Sequence, residues 1–135
     1  MLLAAFLAAA APATPAPPCL DATEQQDVGV TLTGRLERHV YPGPPEFESI
    51  RRGDRAETAY ILIPDRTLCF RAETVIPAGA RFRRVHLFAA RDAVWPRLRA
   101  AVGQRVRVSG RGSGAVTAHD RAPLVVDVAS LQILR

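Results

Sequence analysis

The chain has 135 residues, of which 48% are apolar and 23% are charged. That length suits one domain of ordinary size and leaves little room for two independent cores, and that composition excludes a disordered, highly charged tail. No uninterrupted apolar run approaches the roughly 20 residues that a membrane-spanning helix needs. The net charge is +5 and all 18 basic residues are arginine. Because acidic residues are interleaved with them, the charge is only modest evidence for an anionic partner.

The first 18 residues carry no charged side chain and predict an export segment. Residues 2–11 form an apolar run of Leu, Ala and Phe, and an Ala-, Pro- and Thr-rich stretch follows. This order resembles a secretory signal cleaved near residues 9–13, although the usual basic residues at its start are missing. Prolines directly behind the run argue against a buried helix. We expect residues 1–18 to be cleaved, residues 19–135 to form one domain, and the protein to be periplasmic or secreted.

Two cysteines, Cys19 and Cys69, predict one disulfide bond. In an oxidising compartment, a single pair of cysteines is typical of such a bridge, which would hold the N-terminal arm of the mature domain. Lipid attachment at Cys19 is the alternative, but the two prolines before it match a lipoprotein cleavage box poorly. A zinc site would need more thiols or clustered histidines, so no metal or cofactor is expected.

Alternating apolar residues predict a first strand from Val28 toward Tyr41, and Gly29 and Gly34 within it indicate a bend or bulge. Prolines, glycines and polar residues then predict a long loop over residues 42–55. Renewed alternation predicts strand segments at residues 58–63, 68–70 and 83–89, separated by a turn at residues 64–67 and a loop at residues 73–80.

One helix is predicted after these strands. Asp92 can cap it, Pro96 falls near its first turn and Gly103 is placed to end it. Its apolar face comprises Val94, Trp95, Leu98, Ala101 and Val102. Two further strands are predicted at residues 106–108 and about 124–133, with a glycine-rich stretch at residues 110–114 between them.

This order of elements predicts a mainly β protein. Five short strands with one helix between the third and fourth match a small five-stranded OB-like Greek-key barrel. Another small barrel or an open sheet is the alternative. The histidines in strand segments, His39 and His86, are interpreted as barrel residues rather than ligands.

Two motifs resemble a bacterial family, the domain of unknown function number 4431. The first is Gly43-Pro44-Pro45-Glu46-Phe47-Glu48-Ser49-Ile50 followed by Gly53-Asp54, where the family typically has Asn-Tyr in place of Glu46-Phe47. The second is Thr117-Ala118-His119-Asp120-Arg121-Ala122, where the family has three consecutive histidines. The resemblance runs from about Cys19 to Leu131 and implies an exported setting. It implies no chemistry, because the function of that family is not established.

The two motifs fall on loops that flank the ligand-binding face of an OB-like barrel. The candidate binding residues are therefore Glu48, Ser49, Arg51 and Arg52 on the first loop and His119, Asp120 and Arg121 on the second. The alternative is that turns and side-chain-to-backbone hydrogen bonds merely stabilise these loops. We expect the first loop to be ordered beside the second, with Phe47 and Ile50 buried.

These observations favour a non-catalytic binding module of the cell envelope over an enzyme. The chain has no Gly-x-Ser-x-Gly, His-Glu-x-x-His or phosphate-cradling glycine motif. The partner would be a small ligand or an envelope protein, and we expect a monomer. One alternative is a hydrolytic enzyme using Glu48 and His119 as an acid–base pair. A nucleic-acid-binding OB domain is the second alternative, and the 6% aromatic content and the export segment argue against it.

Overall fold

The computed structural model of the protein describes residues 7–11 and 19–135. The predicted export segment therefore lies for the most part outside the described residues, and its residues 7–11 are exposed without regular secondary structure. The described part is mainly β with one α-helix, as predicted. The strands are β1 (Cys19–Leu20), β2 (Val28–Pro42), β3 (Ala56–Pro64), β4 (Cys69–Phe70), β5 (Val85–Phe88), β6 (Arg105–Gly114) and β7 (Leu124–Ile133), and the helix is α1 (Trp95–Ala101).

Five of the strands close into a barrel in the order β2-β3-β5-β7-β6, and β6 pairs back with β2. The strands β5 and β7 run parallel, whereas the other neighbouring barrel strands run antiparallel. Along the chain, α1 lies between β5 and β6. Because consecutive strands β2 and β3 are joined by residues 43–55, and β6 and β7 by residues 115–123, each of these loops connects two neighbours in the barrel.

The strand β2 serves two sides of the barrel. Its residues 28–35 pair with β6 and its residues 34–42 pair with β3, so Gly34 belongs to both ladders. A Cβ atom at Gly34 would lie 2.2 Å from the backbone oxygen of Ile63. Only glycine allows the two backbones to approach so closely, at the point where β2 passes from one partner strand to the other.

The disulfide bond between Cys19 and Cys69 is confirmed, with the two Cα atoms 4.4 Å apart. It joins β1 to β4, which pair with each other in parallel outside the barrel. The segment at residues 68–70 therefore does not continue a barrel strand. Instead Leu68 exchanges two backbone hydrogen bonds with Phe82, and the rings of Phe70 and Phe82 stack with their centroids 4.9 Å apart.

The barrel interior is filled by alternate residues of all five strands, and α1 packs against it. Leu98 and Ala101 of the helix are fully buried in the same core as Leu36, Leu62 and Val126. The helix begins later than the sequence predicts, because residues 92–94 form a 3₁₀ turn that precedes Trp95. The predicted cap by Asp92 is wrong: the residue before that turn is Arg91, and no side chain caps it. Pro96, which lacks an N–H group, is tolerated in the first α-helical turn.

Candidate functional site

The loop between β2 and β3, residues 43–55 and here called loop A, is organised around the carboxylate of Asp54. One carboxylate oxygen accepts the N–H of Glu46 at 2.9 Å, and the other accepts those of Glu48 and Ser49 at 2.8 Å each. The N–H groups of Ser49, Glu46 and Glu48 stabilise the ionised form and hold the pKa of Asp54 below its usual value. Since Asp54 is only 7% exposed, its carboxylate is a fixed internal support of the loop.

Backbone hydrogen bonds close loop A at its base. The N–H of Gly43 donates to the oxygen of Arg55 at 2.6 Å, and the N–H of Arg55 donates to the oxygen of Pro44 at 2.9 Å. The middle of the loop forms a 3₁₀ turn, Ile50–Arg52, capped by the Ser49 hydroxyl, which accepts a backbone N–H at 3.3 Å. Loop A is therefore ordered, as expected from its sequence.

The loop between β6 and β7, residues 115–123 and here called loop B, is stabilised by the same kind of contact. A carboxylate oxygen of Asp120 accepts the N–H groups of Val116 at 2.8 Å and Thr117 at 3.0 Å. The Thr117 hydroxyl in turn accepts the N–H of His119 at 3.3 Å. These bonds fix the backbone around His119 and so set the position of its ring.

The two loops meet at Glu57, the second residue of β3. His119 places Nδ1 at 2.8 Å and 3.0 Å from the two carboxylate oxygens of Glu57. Arg121 donates from Nη2 to Glu57 at 2.9 Å and to the backbone oxygen of Pro42 at 3.1 Å. Arg121 thus connects loop B to the ends of both strands that flank loop A, and His119 adds a second contact to Glu57.

Aromatic rings surround the guanidinium of Arg121. Its central carbon lies 5.0 Å from the ring centroid of Tyr41 and 5.6 Å from that of Phe47, distances at which a cation is attracted to the ring face. The ring of Phe47 also meets that of His119 edge-on, with centroids 5.1 Å apart. We call these five residues, Tyr41, Phe47, Glu57, His119 and Arg121, the loop junction.

The loop junction contains one buried polar atom whose hydrogen-bonding capacity is unused. The side chain of Arg121 is 10% exposed, and its Nε has no hydrogen-bond partner among the described residues. The His119 side chain, in contrast, is 58% exposed. With Nδ1 directed to Glu57, its Nε2 is the ring nitrogen left to contact another molecule. The junction therefore combines a rigid interior with an accessible imidazole.

Burial and hydrogen bonding set the ionisation of the groups in and beside the junction. Burial raises the pKa of Glu57, but hydrogen bonds from Arg121 and His119 and their charges outweigh it, so the net shift is downward. His86, whose Nδ1 accepts the backbone N–H of Arg121 at 3.1 Å, has its pKa lowered chiefly by burial. The ionised form of Glu57 is thus favoured as the partner of Arg121, and the neutral form of His86 is favoured beside the same guanidinium.

The sequence-predicted residues separate into three groups. His119 and Arg121 come together at the junction. Ser49 and Asp120 use their side chains as acceptors for backbone N–H groups of their own loops, which is the structural role weighed as the alternative. The side chains of Glu48, Arg51 and Arg52 are on exposed residues of loop A.

The expected burial of Phe47 and Ile50 is only half right. Phe47 is partly buried against His119, but Ile50 is 44% exposed. Phe47 adopts a φ of 58°, in the left-handed region, so it does not share a helical turn with Ile50. Their three-residue spacing therefore does not place them on one face.

Three residues of the site are absent from the sequence-based candidates: Glu57, Tyr41 and Asp54. Two of them could have been found from the sequence, because Tyr41 and Glu57 lie just outside the two ends of the predicted loop. In the structure they are directly opposite each other in the β2–β3 ladder. The postulated acid–base partner of His119, Glu48, makes no hydrogen bond to it among the described residues. The carboxylate that contacts His119 belongs to Glu57.

Neither a metal centre nor a spanning helix is found in the part of the chain that the structure describes. Within residues 7–11 and 19–135, no three His, Cys, Asp or Glu side chains lie close enough together to hold a metal ion. In the same residues, no helix is sufficiently long and apolar to cross a membrane.

Comparison with protein families gives one match. The model of a domain of unknown function (DUF4431) matches residues 84–132. This range spans β5 to β7 and includes His86, His119 and Arg121, whereas loop A lies outside it. Comparisons with curated proteins and with solved structures find no match. This match supports the resemblance to the family described as a domain of unknown function (DUF4431) over residues 84–132.

Proposed function

We propose that this chain is an exported OB-like barrel that binds a small ligand or another envelope component without catalysing a reaction. Two features support export. The uncharged, apolar N-terminal segment has the composition of a secretory signal. The disulfide between Cys19 and Cys69 is of a kind that persists in oxidising compartments such as the periplasm.

The strand order supports the OB-like, Greek-key classification. A closed five-stranded barrel in which the third and fifth barrel strands run parallel, with one helix between the third and fourth, has the element order expected from the sequence. In such barrels, the loops after the first and fourth strands border the ligand-binding face. Loop A and loop B occupy these two positions in the chain.

The observation that carries the proposal is the convergence of both loops on Arg121. Loops from distant parts of the sequence are held together by one nearly buried guanidinium between two aromatic rings. Such rigid support reduces the entropy lost on binding, because the ligand-contacting groups are already positioned. The exposed groups of the two loops include the imidazole of His119 and the side chains of Glu48, Arg51 and Arg52. They offer charges of both signs and an imidazole to a polar ligand.

A hydrolytic enzyme is the second candidate, and one observation favours it over a nucleic-acid-binding domain. A histidine whose Nδ1 is held by a carboxylate is the arrangement in which Nε2 serves as a general base. His119 and Glu57 have this geometry. The hydroxyl of Ser49, the one hydroxyl among the predicted site residues, caps a 3₁₀ turn, so water is the nucleophile that this candidate function would use.

Amide chemical-shift mapping by NMR tests the binding proposal. The isolated, disulfide-bonded protein is titrated with peptidoglycan fragments and with fractionated envelope oligosaccharides. We expect perturbed amides to concentrate in residues 43–55 and 115–123, and the perturbation to be lost in His119→Ala but retained in Arg99→Gln, an exposed change on α1. Perturbations confined to other surfaces would contradict the proposal. Release of a hydrolysed product, lost in both His119→Ala and Glu57→Gln, would favour the enzyme instead.

A further inference from the structure

A second concave site lies at the opposite end of β3 from Glu57. There the turn after β3 and the start of β6 border the middle of β2 and enclose a cleft of about 430 Å³. The strand rise places this cleft roughly 23 Å along β3 from Glu57. It is therefore separate from the loop junction, and an inference about it does not depend on the function proposed above.

The polar lining of the cleft is dominated by arginine. Arg66, Arg105 and Arg107 contribute to it, whereas Asp65 is the one acidic residue in the lining. Asp65 is already paired with Arg105. Among the described residues, no carboxylate lies within ion-pairing distance of Arg66 or Arg107. The cleft thus carries two guanidinium groups without a counter-charge.

Neighbouring residues increase this positive charge. Arg35 of β2 lies directly opposite Arg105 in the β2–β6 ladder, and like charges in this position destabilise a sheet. A further guanidinium, that of Arg83, donates from Nε to the backbone oxygen of Pro64 at 2.9 Å, next to the same turn. A bound anion would relieve the repulsion that the fold concentrates here.

The dimensions and donors of the cleft define the kind of anion. Guanidinium groups bind phosphate through two parallel hydrogen bonds, and a phosphomonoester carries close to two negative charges at neutral pH. The hydroxyl of Thr33 stands opposite Arg107 in the ladder and adds a neutral donor at the same wall. A cleft of this size is in the usual range for organic ligands, so it accommodates more than a bare phosphate. Leu32 and Leu68 provide an apolar surface for the remainder.

We propose that this cleft, the arginine cleft, binds a phosphomonoester whose phosphate contacts Arg66 and Arg107. The same chemistry has two sources: a soluble sugar phosphate and a phosphate-bearing lipid headgroup. The guanidinium pair recognises the phosphate in either case. The apolar surface of Leu32 and Leu68 and the open side of the cleft determine whether the sugar or the lipid fits.

Calorimetric titration of the disulfide-bonded protein with glucose 6-phosphate and with glucose tests the chemistry. We expect glucose 6-phosphate to bind and glucose not to bind. The double variant Arg66→Gln/Arg107→Gln should weaken binding at least about tenfold, since it removes two charge-assisted contacts. Both positions are exposed, so the variant should keep the wild-type melting temperature. The control, Arg99→Gln, changes one charge on α1 and should bind as the wild type does.

Vesicle flotation distinguishes the two sources. Phosphatidylcholine vesicles containing phosphatidic acid present the phosphomonoester as a lipid headgroup, and pure phosphatidylcholine vesicles are the control. Flotation with the first alone, abolished by the double variant, identifies a lipid ligand; calorimetric binding without flotation identifies a soluble one. Both results support the proposal.

Any of three results would overturn the proposal. The first is that neither glucose 6-phosphate nor vesicles containing phosphatidic acid bind. The others are a double variant that binds as tightly as the wild type, or an Arg99→Gln variant that loses as much affinity as the double variant. Binding of single-stranded oligothymidylate with steep salt dependence, in the absence of any response to glucose 6-phosphate, would assign this face to an extended polyanion and would also refute the proposal.

Discussion

Removing the disulfide bond should cost this protein a large share of its stability. The bond closes a loop with a sequence separation of 50 residues. In the chain-entropy model, opening such a loop in the unfolded state lowers the free energy of unfolding by about 4 kcal/mol. For a domain of this length, that loss corresponds to a melting temperature about 15 °C lower.

The test compares the variant Cys19→Ala/Cys69→Ala with the wild type in urea unfolding, each with and without a reducing agent. Because the effect resides in the unfolded chain, the reduced wild type and the variant should unfold at the same urea concentration. Their unfolding should also be steeper in urea, since the chain without the cross-link exposes more surface. The reducing agent should leave the variant unchanged.

A loss below about 1 kcal/mol would refute this reasoning. It would mean that non-covalent contacts already hold the N-terminal arm. Such contacts exist: Ala22 is fully buried, the N–H of Arg71 donates to Leu20 at 2.9 Å, and the N–H of Gly114 donates to Thr23 at 3.0 Å. The measurement therefore separates the contribution of the covalent link from that of the arm's own packing.

Three further changes test other parts of the structure. Gly34→Ala should lower the free energy of unfolding by about 3 kcal/mol, because the added Cβ would meet backbone atoms. Gly29→Ala is the control: no atom lies nearer than 3.8 Å to its added Cβ, so the free energy of unfolding should change by less than about 1 kcal/mol. Equal effects in urea unfolding would contradict the close backbone approach at Gly34. Phe47→Ala should cost about 1–2 kcal/mol in the same assay, and a neutral result would show that the ring does not support the junction. The carboxylate of Asp54 stabilises the fold above its unfolded-state pKa, and this stabilisation is lost as the pH falls through the lower folded-state pKa. Asp54→Asn should therefore weaken the fall in the free energy of unfolding at acidic pH. An unchanged fall in the variant would show that this carboxylate does not cause it.

Local sequence patterns predicted the features that depend on neighbouring residues. The alternation from Val28 onward identifies β2, and Gly34, singled out in the sequence, lies where β2 pairs with both β3 and β6. The two cysteines identify the disulfide because the chain offers no other pairing. In each case, the information lies in residue spacing or in a count, and both are visible without knowing the fold.

The loop junction could not be predicted in this way. Arg121 is surrounded by Tyr41 and Phe47, which precede it by more than seventy positions, and no periodicity connects them. Glu57 is a single acidic residue at the beginning of a strand, and its partners become neighbours only when the barrel closes. Likewise Phe47 has a left-handed backbone conformation, and the exposure of Ile50 could therefore not be predicted from the three-residue spacing of Phe47 and Ile50.

The double pairing of β2 also determines when the molecule can fold. Thr31 of β2 lies opposite Ser109 of β6, 78 positions later, and β7 must then fill the gap between β5 and β6. No partial chain lacking these strands can complete the barrel, and folding dominated by such distant pairings is slow. Because β7 lies between β5 and β6, a nascent chain cannot close the barrel until residues 124–133 have been synthesised.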